Sequence, residues 1–177
     1  MPLTPCIAAP MLQHNEIARR IPHQGSMCLL DSVIAWDARQ ISCQASSHLA
    51  PSNPLRAHGR LGAACGIEYA AQAMAVHGAL IAQAQASAGE ARNGPQIGYL
   101  ASVRSVMLHV QRLDHPSTTL LIQAERMSGD DSTILYSFTV HGGPALLLSG
   151  RAVVVLNAAN LTLPGRASPP SLPLGRL

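Results

Sequence analysis

After Arg60 the chain runs to about Ala86 without a proline. Its central stretch, GIEYAAQAMAVHGAL (66–80), carries a single formally charged residue, Glu68. This alanine-rich run predicts a helix from Arg60 to about Ala86, roughly 40 Å long at ~1.5 Å per residue. Apolar residues fall on every side of it, the mark of a helix wrapped by other structure. Gly62, Ala63, Ala64, Gly66, Ala70, Ala71 and Ala73 are small enough to let another backbone approach closely. Such a helix demands a layer that surrounds it, and a reason for the lone carboxylate.

The flanking sequence supplies the layer. LQHNEIARRI (12–21) reads as a short helix ended by Pro22, which biases the residue before it away from helix. IPHQGSM is a loop. CLLDSVIAW is aliphatic and β-branched, Asp37-Ala38 break the run, and RQISCQASSH alternates Ile41, Cys43 and Ala45 with Gln40, Ser42 and Gln44. These two segments predict a β-hairpin, with Asp31 capping or anchoring it. LAPSNPLRAHG (49–59), with Pro51, Pro54 and Gly59, is a loop. After the polar SAGEARNGPQ come four strand-like runs: IGYLASVRSVMLHVQRL, TTLLIQAERMS, TILYSFTVHG and ALLLSGRAVVVL. Their connections, DHPS, GDD and GGP, are short enough for antiparallel neighbours. The chain beyond Leu161 is Pro-rich, so one domain is expected over 1–160 and a poorly ordered tail over 161–177.

A hairpin, one long helix and four antiparallel strands fit together when a single sheet curls round the helix. That is the α+β layout of a hotdog fold, whose members usually pair into dimers with a continuous sheet. Hydrophobic residues make up 47% and charged residues 12%, which favours an oligomer with a large apolar interface. No segment reaches the roughly 18 uninterrupted apolar residues of a membrane span. The N-terminal residues lack the basic start and apolar run of a secretory signal, so the expected setting is the cytoplasm. The net charge of +3 comes from scattered arginines, with no lysine, and aromatics are 3%. Bases would find little to stack on, which argues against nucleic acid. A small basic patch for an acidic protein or a phosphate stays open. The cysteines at 6, 28, 43 and 65 form no CxxC pair and have no His at zinc-ligand spacing. No metal site is expected, and Cys28, Cys43 and Cys65 read as reduced core thiols.

Two motifs resemble a known family. IPHQGSMCLLDSVIAWD is similar to the opening of hotdog 3-hydroxyacyl-[acyl carrier protein] dehydratases, a Pro-His followed by an aliphatic run ending in Asp, here Asp31. Glu68 with Ala71-Gln72 resembles that family's Glu-x-x-Ala-Gln helix motif. The version Gly-Ile-Glu-Tyr-x-Ala-Gln, here Gly66 to Gln72, is similar to a divergent branch associated with aryl polyene and related unsaturated-lipid biosynthesis. The resemblance covers roughly residues 15–155. It implies dehydration of 3-hydroxyacyl thioesters on acyl carrier protein to trans-2-enoyl thioesters, without metal or organic cofactor. It also implies an acyl tunnel at a subunit interface, where the helix Glu of one chain faces the His of the other. The family's His-Phe-Pro-Gly-x-Pro-x-x-Pro-Gly loop, which carries the catalytic His, is replaced here by HLAPSNPLRAHGRLGAACG. Counting on from His23, His58 falls at the catalytic-His offset; His48, ahead of the Pro-containing loop, is the other candidate.

Dehydration needs a base for the proton α to the carbonyl, an acid for the departing hydroxyl, and donors for the enolate-like oxygen. Glu68 suits the acid, since apolar burial favours its protonated form; pairing with an Arg is the structural alternative. Gln72, four residues on, shares its helix face and can aim the carboxyl. Backbone N–H groups from Gly62 to Gly66 are candidate oxyanion donors. His23 reads as a loop residue bonding carbonyls near the site, His77 as a core histidine, His109 and His141 as sheet residues, and Tyr69 as a packing residue. Two other functions fit. A hotdog thioesterase would use Glu68 on water or on the thioester. A partner subunit would pair with a paralogous hotdog chain and contribute only part of the site.

Overall fold

The computed structural model describes residues 11–87, 98–115, 117–130 and 132–156. The expected tail, Cys6 and most of the 87–96 loop lie outside the described residues. Strand β1 (Leu12–Gln13) runs into helix α1 (His14–Ala18), followed by β2 (Ser32–Trp36) and β3 (Gln40–Ala45). Helix α2 (Gly66–Ser87) comes next, then β4 (Gly98–Leu108), β5 (Leu120–Gly129), β6 (Thr133–Gly142) and β7 (Ala145–Leu156). All strands join one antiparallel sheet in the order β1-β2-β3-β5-β6-β7-β4. The sheet closes on α2, which packs chiefly on β5, β3 and β6. Tyr69, Ala70, Ala73, Met74, Val76 and Leu80 meet a core that includes Ile41, Cys43, Ile122, Phe138 and Leu148. This is the expected hotdog arrangement.

Turn chemistry sets the strand order. In the β2–β3 hairpin, Asp37 Oδ1 accepts the N–H groups of Arg39 (2.7 Å) and Gln40 (2.9 Å). Those bonds lower the Asp37 pKa. Asp31 extends the same ladder through its main chain, N–H to Gln44 O at 2.8 Å. Between β5 and β6, Asp130 Oδ1 accepts the N–H groups of Ser132 and Thr133. Gly143, at φ +59°, supplies the left-handed residue of the β6–β7 turn. Cys43 is fully buried and burial pushes its thiol up to about 12; Cys28 and Cys65 are raised for the same reason. All of these cysteines are free.

Four details depart from the sequence reading. Helix α2 begins at Gly66, not Arg60, after a 3₁₀ turn at Ala63–Cys65. The preceding residues pair sideways instead: Ala63 N–H donates to Gln111 O (3.1 Å) and Leu113 N–H to Leu61 O (2.9 Å). Strand β4 ends at Leu108, the His109 N–H makes one last bond to Leu147 O of β7, and Arg112 then bridges Gly62. The short helix is only His14–Ala18, because Leu12 and Gln13 pair with β2. Finally, α2 is not buried all round. Glu68, Ala71, Ala75, Gly78, Ala79 and Ala82 lie half-buried along one side. Alanine and glycine on that side gave no polar signal of exposure, so the helix looked uniformly apolar.

Candidate active site

The loop before β2 is fastened to α2 by one buried carboxamide. Gln72 is fully buried. Its Oε1 accepts the Leu29 N–H (2.9 Å), while its Nε2 donates to Met27 O (2.8 Å) and Glu68 Oε1 (2.9 Å). The Leu29 N–H can only donate, which fixes the orientation of the amide. Upstream, Gln24 Nε2 donates to Ala18 O (2.6 Å) and Ile21 O (3.2 Å), and Gly25 reverses the chain at φ +57°. Together these contacts hold His23 over the first turn of α2.

There His23 Nε2 lies 3.0 Å from Glu68 Oε1. The two side chains keep 27% and 31% of their exposure, so the pair sits at an open edge and not in a sealed apolar pocket. The expected deep burial of Glu68 is therefore corrected. Its partner is a histidine of its own chain, not an arginine. Glu68 occupies the first turn of α2, where the helix dipole favours a carboxylate. Glu68 Oε2 has no protein partner among the described residues. His23 Nδ1 is buried and likewise unpartnered among them.

The other expected histidines sit elsewhere. His58 is exposed at a turn tip, in the left-handed region at φ 52°, between the bridged residues Ala57 and Arg60. The loop closes on itself there, and the Glu68 of the same chain pairs with His23 instead. His48 is fully buried in a 3₁₀ turn, and its carbonyl accepts Arg56 Nη2 (3.0 Å). Of the expected oxyanion donors, the N–H groups of Ala63, Cys65 and Gly66 are already engaged with Gln111, Gly62 and the Ala63–Ala64 carbonyls. Gly62 lies in extended backbone ahead of the turn. Gly66 is needed for packing, since a Cβ there would run into the Leu148 side chain. Tyr69 is buried, its hydroxyl bonded to Ser47 Oγ (2.9 Å) and Asn53 Nδ2 (3.0 Å). His77 joins Tyr136 Oη (3.0 Å) to the Asp37 carbonyl (2.7 Å), tying α2 to the hairpin. Burial lowers the pKa of His77 and pushes Tyr136 up to about 12. His141 lies in β6, and the His109 N–H donates to Leu147 O just beyond β4.

One ionic cluster had no signal in the sequence. Arg56 bonds Ala50 O, His48 O and Asp114 Oδ2 (2.8 Å), and Arg112 forks onto both Asp114 oxygens. The Arg112 and Arg56 bonds hold the Asp114 carboxyl far below its usual range. This cluster folds the 48–60 loop onto residues 111–114. Among the described residues, no group of His, Cys, Asp and Glu is placed to hold a metal ion. No described helix is long and apolar enough to cross a membrane.

A sheet closed round a helix whose first turn holds a His–Glu pair defines a hotdog protein with acid–base groups. Residues 15–162 match the ApeP-like family, described as ApeP dehydratase, and the chain belongs to that dehydratase family. Among solved structures it is similar to a chain of the dehydratase heterocomplex ApeI:P from Xenorhabdus doucetiae. That match has 23% identity and a TM-score of 0.64, covering 78% of this chain and 89% of the other. A thioesterase from Haemophilus influenzae matches with 8% identity and a TM-score of 0.57, covering 82% and 91%. A hypothetical thioesterase with coenzyme A from Streptococcus pneumoniae gives 8% and 0.51, covering 71% and 84%. These likenesses show a shared fold. A search of curated proteins found no match.

Proposed function

We propose that the chain dehydrates 3-hydroxyacyl thioesters carried on acyl carrier protein, with His23 as base and Glu68 as acid. The observation that carries this reading is the 3.0 Å contact between His23 Nε2 and Glu68 Oε1 in a member of a dehydratase family. The step needs one proton between the two groups, on Glu68 Oε1 with His23 neutral, a state that substrate favours over the ion pair by covering the open edge and excluding water. With substrate bound, Nε2 turns from the carboxyl to C2 and takes its proton. The C2–H electron pair becomes the C2=C3 double bond, and the C3–O bond breaks. The hydroxyl leaves as water with the proton from Glu68 Oε1, which is freed when the imidazole turns away. The imidazolium then returns its proton to Glu68 across the hydrogen bond, which resets the pair. Gln72 is a positioning residue, because it holds both the carboxyl and the 27–29 main chain.

The sheet edge supports an assembly. Strand β4 ends the sheet among the described strands, and Tyr99, Leu100, Met107 and Leu108 on it are exposed. Such an edge invites a second strand, so the active form pairs through β4 with another hotdog subunit, a copy of itself or a paralogue. The dehydratase heterocomplex among the similar structures supports the paralogue.

The test is a 3-hydroxyacyl thioester on acyl carrier protein, followed for enoyl absorbance and free thiol together. Enoyl without thiol is expected, falling at least about 100-fold in His23→Ala and Glu68→Gln. Thiol release without enoyl would make the chain a thioesterase. Light scattering of the purified chain, alone and with candidate hotdog partners, decides the assembly.

A further inference from the structure

Farther along α2 the structure opens into a cavity of about 710 Å³, its mouth included, between the later helix turns and β5–β7. Ala75, Gly78, Ala79, Ile134 and Tyr136 contribute apolar walls, and Arg126 brings a cation into them. In the sheet register Arg126 lies opposite Tyr136, whose hydroxyl holds His77 of the helix. The guanidinium makes one long bond, Nη2 to Asp130 O at 3.5 Å. No carboxylate among the described residues forms a salt bridge with it. The Asp130 carboxylate, also at the cavity, accepts from Ser132 and Thr133 instead.

The cavity lies on a course that starts at the dyad. At ~100° per residue, Ala75, Ala79 and Ala82 fall within about 40° of Glu68 around the helix axis. All three are half-buried, as Glu68 is, and a Cβ at Gly78 would meet nothing within 4 Å. The helix climbs ~14 Å from Glu68 to the level of His77. An extended hydrocarbon advances ~1.25 Å per carbon, from a ~1.52 Å bond and a ~111° angle.

We propose that this cavity receives the far end of the acyl chain and that Arg126 selects chains that reach about ten to twelve carbons beyond the reacting C3 and end in a hydrogen-bond acceptor. A hydroxyl or carboxylate terminus gives the guanidinium an acceptor that no described carboxylate supplies, whereas a methyl terminus leaves it beside hydrocarbon. The assignment rests on the acyl-thioester reading above and deepens it.

The test separates the two ideas. Binding of S-tetradecanoyl-N-acetylcysteamine and of its ω-hydroxy counterpart, whose carboxyl ends are masked as thioesters, is measured by calorimetry on the wild type, Arg126→Met and Arg126→Lys, with circular dichroism to check folding. The wild type is expected to favour the ω-hydroxy thioester roughly tenfold or more, as a charge-assisted hydrogen bond would give. Arg126→Met abolishes the preference, and Arg126→Lys keeps part of it. Equal binding by the wild type, or an unchanged preference in Arg126→Met, overturns the assignment. In parallel the wild type is given the methyl-ended 3-hydroxyacyl thioester of the same length. If it forms no enoyl product from any chain, the dehydratase reading fails, while the binding comparison still decides the role of Arg126.

Discussion

Replacing Gln72 with leucine removes the fastening between helix and loop without changing side-chain size much. Three bonds go at once: those to the Leu29 N–H, the Met27 carbonyl and Glu68 Oε1. Leu29 is fully buried, so its N–H is orphaned at a cost of ~1–3 kcal/mol, while the half-buried Met27 carbonyl recovers part of its loss from water. The net loss is about 2–4 kcal/mol, or roughly 5–12 °C in Tm for a chain of this length. Urea denaturation reads the stability directly. The catalytic effect is separate, because a dyad displaced by ~1 Å loses on the order of 100-fold in rate. Gln72→Glu adds a second test. Its new carboxyl still accepts from Leu29 but sets an oxygen against two acceptors, Met27 O and Glu68. It must hold a proton to fit, so this variant gains stability relative to the wild type as pH falls. A Gln72→Leu protein within about 0.5 kcal/mol of the wild type, with unchanged kcat/KM, would refute the reasoning.

Three further outcomes are expected. His77 is buried neutral with its pKa lowered below 6.5, so the unfolded chain binds its proton first; stability is full above about pH 6.5 and declines below it as pH falls toward the folded value. Urea midpoints across that range check this, and His77→Gln should remove that component of the slope. Asp114→Asn leaves two arginines without their carboxylate and should cost about 3 kcal/mol by denaturant unfolding, with the 48–60 loop more open to proteolysis. His58→Gly relieves a left-handed histidine at an exposed turn; activity should be unchanged and stability equal or raised by up to ~1 kcal/mol.

The fold was largely legible because local chemistry agreed with global need. Asp37, Asp130 and Gly143 marked turns by properties that act within a few residues, and the Ile41-Cys43-Ala45 alternation marked a strand facing a core. Glu68 and Gln72 were readable as a pair, since four residues on a helix bring side chains together whatever else the chain does. His23 was not readable as their partner. Its position depends on Gln24 and Gly25 reversing the loop and on Gln72 gripping Met27 and Leu29, contacts more than forty positions apart in sequence. The count that pointed to His58 could not see the shape of its loop, which Arg56 sets through bonds to Ala50 and Asp114. The half-buried side of α2 was hidden for a different reason: alanine is accepted both in a core and at its edge.

The central claim is that His23 and Glu68 of one chain act together on one substrate. Mixing His23→Ala and Glu68→Gln chains through a denaturation and refolding step tests it directly, read as enoyl formation from a 3-hydroxyacyl thioester. A pair built within one chain predicts no recovery above the residual rate of either variant. Recovery of a substantial fraction of wild-type activity would mean that the histidine and the carboxylate meet across the subunit interface, and would contradict the account.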